Sequence, residues 1–98
     1  MTLPMDFELD AIDEVDAAFA WYEEQRPGLG EKFFSNLLAQ LDLIQENPES
    51  WALLHRNVRA CTIRRFPYVV YYRIFPDRIN VVAVLHGHRH PRHWRHRL

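Results

Sequence analysis

Histidines and arginines crowd the second half of this chain. His86, His88 and His90 fall at alternate positions, and His93 and His96 follow. Arg59, Arg64, Arg65, Arg73 and Arg89 lie in or near the same region, with Tyr68, Tyr71, Tyr72 and Trp94 among them. Three chemistries use such residues. Clustered histidines hold zinc or a similar ion. Here no cysteine or carboxylate lies near them in sequence and the interleaved arginines oppose a divalent cation, so neither a metal site nor a cofactor is predicted. Metal-free cleavage of RNA needs a base for the 2′-hydroxyl, cations for the charged phosphorane and an acid for the leaving oxygen. His86, His88 or Tyr72 could move those protons, histidine being suited to neutral pH. The arginines could hold phosphate bidentately without ever losing charge. The third chemistry is binding. Arg59, Arg64, Arg65, Tyr72, Arg73, His88, Arg89 and Trp94 could hold phosphates and stack bases. They could equally hold an acidic or amphipathic protein segment, and composition does not separate the two.

The charge distribution sharpens this picture. Residues 1–50 carry twelve acids against two bases, and residues 51–98 carry one acid against ten arginines, although the whole chain is close to neutral. Such asymmetry points to a basic face for a polyanion or an acidic partner. Mutual pairing of the halves is a weaker explanation, because exposed ion pairs contribute only about 0–1 kcal/mol each. Cys61 is the one cysteine and cannot form an internal disulfide, which fits a reducing compartment. No apolar run approaches the roughly 18 residues of a membrane span. The short acidic start is unlike a signal peptide. A cytoplasmic protein with no membrane partner is expected.

The elements that must position these groups are legible from periodicity. Leu3, Met5, Phe7 and Leu9 alternate as in a short strand, which Pro4 restricts to an edge. Asp10 is a candidate N-cap for a helix running to about Gln25, with Ile12, Val15, Phe19 and Tyr22 as its apolar stripe. Pro27-Gly28 stops it. A second helix, from Leu29-Gly30 to Asn47-Pro48, carries Phe33, Phe34, Leu37, Leu38, Leu41 and Ile44 on a broad apolar face. The short link makes an antiparallel helical hairpin. Glu23 and Glu24 read as solvated. Residues 49–57 read as a loop. Three strands follow, over 58–65, 68–75 and 79–86, the last nearly all apolar, as a strand covered on both faces would be. The expectation is one α+β domain over residues 1–98. Its αα-hairpin packs on one face of a three- to four-stranded antiparallel sheet, and the tail forms a helical turn that packs Trp94 on the sheet.

Taken in order, Trp21-Tyr22-Glu23-Glu24-Gln25-Arg26-Pro27-Gly28-Leu29-Gly30, Phe33, Asn47-Pro48, Arg65-Phe66-Pro67-Tyr68, Tyr71-Tyr72, Val82 to His86 and Arg89-x-Pro91-x-x-Trp94 resemble the RelE/ParE superfamily of bacterial type II toxins, over about residues 10 to 97. The abundance of arginine over lysine fits a high-GC bacterium. The resemblance implies two helices on an antiparallel sheet, and a cognate antitoxin that covers the active surface in a hetero-oligomer. It leaves the target open. ParE-like and plasmid-stabilisation members inhibit DNA gyrase, whereas RelE-like members cleave mRNA on the ribosome without metal. The Trp-Tyr-Glu-Glu-Gln-x-Pro-Gly-Leu-Gly and Arg-Phe-Pro-Tyr pieces resemble the ParE-like side. The catalytic lysines of RelE have no counterpart, since Lys32 stands alone on a helix. Val69-Val70 replace the strand arginine of the nuclease branches, unless Arg65 or Arg73 serves, and a C-terminal tyrosine is missing, with Trp94 and His96 nearby. The resemblance therefore implies a binding-type toxin directed at a target such as DNA gyrase. The alternatives are an mRNA endoribonuclease that uses His86, Arg65 and Arg89, and an inactive partner-binding module.

Overall fold

The computed structural model describes residues 2–89 and 91–98. Strand β1 (Met5–Phe7) leads into helices α1 (Leu9–Gln25) and α2 (Leu29–Glu46). A 3-10 turn (Pro48–Ser50) then opens a run of strands, β2 (Ala52–His55), β3 (Val58–Thr62), β4 (Tyr68–Ile74) and β5 (Ile79–His86), and helix α3 (Arg92–Arg95) closes the chain. The strands form one five-stranded sheet in the order β1-β5-β4-β3-β2. β2 to β5 make the antiparallel meander that adjacency predicts, while β1 pairs with β5 in parallel.

Two expectations about the sheet change. It is mixed rather than antiparallel, because the helical hairpin carries the chain away from β1 before the meander starts. It also gains β2 from the stretch read as a loop. Arg56, in the left-handed region at φ 53°, tightens the turn that folds 52–55 back on β3. Alternation could not reveal this strand, because Leu53 and Leu54 are both exposed.

The α1–α2 joint explains the Tyr-Glu-Glu-Gln-x-Pro-Gly-Leu-Gly stretch. The Glu23 carboxylate is not a solvated charge. It accepts hydrogen bonds from the backbone N–H groups of Gly28, Gly30 and Glu31 at 2.8–3.3 Å, capping the start of α2 from the end of α1. Gly28 takes φ 90°, which a side chain would strain. A Cβ at Gly30 would sit 2.6 Å from the Phe19 carbonyl oxygen, so the helices touch backbone to backbone there.

The buried face of α1 is Ala11, Val15, Ala18 and Tyr22, rotated from the stripe read in sequence, and the helix starts at Leu9 rather than after Asp10. Phe33, Leu37, Leu41 and Ile44 complete the hairpin's inner face and meet Ile63, just after β3, and Val70, Tyr72, Val81 and Val84 of the sheet. Ile12 of α1 and Phe34 and Leu38 of α2, read in sequence as apolar-face residues, stay on the outside, 41–47 % exposed, beside an apolar groove of about 320 Å³ between the helices. The sheet's other face is covered as well, by the tail: Trp94 is buried against Val58, Tyr71, Val82 and Ala83 and stacks on Tyr71 at 4.9 Å. Both faces of β5 are therefore occupied, which its unbroken apolar run requires.

Candidate functional site: a basic aromatic cleft at the end of β5

Strand register sorts the predicted site residues to two ends of the sheet. Tyr68 pairs with His86 at one end, whereas Val58 pairs with Arg73 and Arg73 with Asn80 at the other. Five residues of strand, about 17 Å, separate Tyr68 from Arg73.

At the Arg73 end the cations are consumed by the fold. The Arg59 guanidinium donates to the Glu49 and Trp51 carbonyls at 3.1 and 2.8 Å, pinning the 3-10 turn. Arg73 donates to the Asn80 side chain at 3.1 Å, lies 3.8 Å from the Glu8 carboxylate and covers the Phe75 ring. Two assignments from sequence are corrected. Tyr72 is fully buried and donates its hydroxyl to the Pro48 carbonyl at 2.6 Å. Burial first, then the neighbouring Cys61, push its phenol well above the ordinary tyrosine range, so it neither moves protons nor meets a ligand. Trp94, 1 % exposed, is core. Both belong to well-packed apolar layers that a ligand does not reach.

At the His86 end the arginines are not consumed in this way. The Gly87 N–H donates to the Pro67 carbonyl at 2.8 Å, tying the turn after β5 to the β3–β4 turn that carries Arg64 and Arg65. Arg65 sits at φ 70°, a conformation worth about 1 kcal/mol of strain or more in a non-glycine residue. The Asn36 side chain donates to the Arg64 carbonyl at 2.9 Å and so holds this turn against α2. Arg64, Arg65 and Arg89 are exposed, and their guanidinium groups make no ion pair among the described residues. Beside Arg89 opens a cleft of about 370 Å³ lined by Trp21, Tyr22, Tyr68, His86, His88 and Arg89.

The rings of this cleft form a row. Trp21 meets Tyr22 edge-on at 5.1 Å, Tyr22 lies 6.0 Å from Tyr68, Tyr68 lies 5.6 Å from His86, and His86 stacks on His88 at 5.0 Å. The His88 backbone N–H donates to His86 Nδ1 at 3.2 Å, so that nitrogen is an acceptor and the neutral ring carries its proton on Nε2. The structure thus brings together His86, His88, Arg89, Arg64 and Arg65, and sets Arg59, Tyr72, Arg73 and Trp94 apart. His90 lies outside the described residues. Among those described, no three His, Cys, Asp or Glu side chains converge as metal ligands do.

Sequence reading missed three contributors. Trp21 sits off the apolar stripe of α1 and is 54 % exposed, and a large ring at a polar helical position was the available signal. Glu14 and Arg97 seal the edge of β5 beyond the reach of β1. A bulge opposite Tyr71/Tyr72 leaves the Val82 carbonyl outside the ladder with β4. Arg97 donates to it at 3.2 Å, Val84 N–H donates to Glu14 Oε1 at 3.0 Å, and the two side chains bind each other at 2.7 Å. The Glu14 hydrogen bonds and charge hold the Arg97 guanidinium above its already high range.

The helical hairpin on a mixed sheet places the chain among small toxins of the RelE/ParE superfamily. The family model for the ParE toxin of the type II toxin-antitoxin system parDE matches residues 6–91, and the chain belongs to that family. Toxin ParE2 of Mycobacterium tuberculosis, in strain CDC 1551 / Oshkosh and in strain ATCC 25618 / H37Rv, is 29% identical over 80 residues, covering 81% of this chain and 76% of the relative. A solved chain of the chromosomal ParDE TA system from P. aeruginosa superposes with a TM-score of 0.77 at 18% identity, over 87% of this chain and 96% of that one, and shares the fold. Among the described residues no helix is long and apolar enough to cross a membrane.

Proposed function

We propose that this ParE-family toxin arrests growth by binding a nucleic-acid-processing target such as DNA gyrase, and that a cognate antitoxin neutralises it in the cytoplasm. The observation that carries the reading is the cleft at the end of β5. It collects Trp21, His86, His88 and Arg89, near a turn whose arginines make no ion pair among the described residues, and equips them for holding an anionic or aromatic target. Its equipment for cleavage is thinner, since Tyr72 is locked in the core and Val69 and Val70 occupy the strand where a phosphate-holding arginine would be needed. The antitoxin has two surfaces to cover, this basic cleft and the apolar groove flanked by Ile12, Phe34 and Leu38, a patch of the kind that marks a protein partner.

Inducible expression followed by separate readouts of DNA and mRNA tests the proposal. Growth arrest with DNA breaks, intact mRNA, and inhibition of gyrase by the purified protein is the expected result. Cleaved mRNA that becomes intact in His86→Ala would replace it with metal-independent endoribonuclease activity, His86 serving as acid or base and Arg65 and Arg89 holding phosphate. Expression without growth arrest would leave only a partner-binding module.

A further inference from the structure

We propose that the cleft at the end of β5 binds unstacked nucleotides of a single nucleic-acid strand, with a base lying on Trp21 and phosphates held by Arg89 and the arginines of the β3–β4 turn. The inference rests on the reading of a nucleic-acid-processing target and names what the toxin touches there. Stacking platforms for single strands combine a cationic track with aromatic faces, because every base offers a π-face whatever its sequence. Both parts are present. Trp21 projects from α1 with more than half of its surface exposed, and its edge-on contact with Tyr22 holds the ring in place. The row Tyr22, Tyr68, His86 and His88 continues from it at spacings of 5.0–6.0 Å.

The electrostatics favour the same ligand. Among the described residues no carboxylate lines the cleft, and Glu14 and Glu23 are both engaged elsewhere. Glu23 is spent on the N–H groups of α2, and Glu14, in an adjoining hollow of about 250 Å³ that shares Trp21, His86 and Arg89 with the cleft, is neutralised by Arg97. Arg64, Arg65 and Arg89 have no such partner among the described residues. A cleft of about 370 Å³ falls in the range of sites for small organic groups, roughly 300–1,000 Å³. A duplex would satisfy the arginines but hide its base faces, and an acidic peptide would leave the rings unused.

Fluorescence anisotropy of the full-length protein with labelled oligo-dT, oligo-rU and a matched duplex tests this. Single strands should bind at least about 10-fold more tightly than duplex, and Trp21→Ala should weaken them by roughly 5- to 100-fold while Trp21→Phe restores most of the affinity. Arg89→Gln should weaken binding and reduce the salt slope by about one. Preference for oligo-dT assigns the strand to DNA and preference for oligo-rU to RNA, and either supports a single-strand site. Binding of duplex as tight as of single strands, or a Trp21→Ala protein with unchanged affinity, overturns it. Gyrase inhibition by a protein that binds no oligonucleotide would sink this inference and leave the proposed target standing. Oligonucleotide binding without gyrase inhibition would keep the ligand and remove that target.

Discussion

Arg97 is next to last in the chain, yet its replacement should be among the more damaging single changes. Its side chain is 14% exposed and that of Glu14 16%, so their contact at 2.7 Å is largely screened from water. Arg97→Ala removes both bonds to Glu14 and the bond to the Val82 carbonyl, leaving an uncompensated carboxylate beside the edge of β5. Breaking a buried pair in this way costs about 3–5 kcal/mol, and an exposed pair about 0–1. One side of this pair opens on the adjoining hollow, so about 2–4 kcal/mol is expected. In a chain of this size that lowers the melting temperature by roughly 10–25 °C. Glu14→Gln keeps an oxygen for the Val84 N–H and should cost less, about 1–2 kcal/mol. The double variant should lie well short of the sum, because the second change removes a group already stranded. Urea unfolding followed by circular dichroism measures all three. An Arg97→Ala protein within about 0.5 kcal/mol of wild type would refute the claim that the tail fastens β5.

Two further predictions concern the frame of the site. Gly30→Ala places a Cβ 2.6 Å from a backbone oxygen that moves only with α1, and should cost about 2 kcal/mol or more. Gly28→Ala meets no atom within 4 Å and should cost only the strain of its φ, about 1–2 kcal/mol; equal thermal stabilities for the two variants would show that the helices do not touch as described. His55 sits over Trp94, and burial first, then Arg95 and Arg56, push its imidazole below the ordinary histidine range. The unfolded chain therefore takes up that proton more readily. The stability is complete above about pH 6.5 and is lost as pH falls below it. His55→Gln should flatten the slope of unfolding free energy as pH falls below about 6.5, and an unchanged slope would remove His55 as its source.

Helix lengths, the hairpin and the meander were readable because each rests on a local rule: the 3.6 period, Pro-Gly stops, and alternation over β-branched residues. What failed to show was set by contacts remote in sequence. β1 runs parallel to β5 because of a pairing across more than 70 residues, with Met5 opposite Ile79. β2 is a strand because β3 supplies its partner, although its own residues face water on both sides. The rotation of α1 by one position depends on alanines. Ala11 and Ala18 let the helix approach the sheet, and a hydrophobicity pattern gives them less weight than Ile12 and Phe19.

The site was legible in composition and illegible in arrangement, for a reason that applies to any arginine-rich strand pair. Along β4 the distance between Tyr68 and Arg73 is small in sequence but takes in nearly the whole length of the strand. A list of nearby cations therefore mixes two ends. One end uses its arginines as fasteners: Arg59 on carbonyls, Arg73 and Arg78 on Asp6, Glu8 and the Phe75 ring. The other leaves Arg64, Arg65 and Arg89 without an ion-pair partner among the described residues, Arg89 beside a row of rings. The acidic first half of the chain accounts for Arg73 and Arg78, reached by Glu8 and Asp6, and for Arg97 in the tail, reached by Asp10 and Glu14. It contributes no such partner to the other end. The charge asymmetry has two causes in one molecule, and only the arginines that the fold does not consume remain for a partner to recognise.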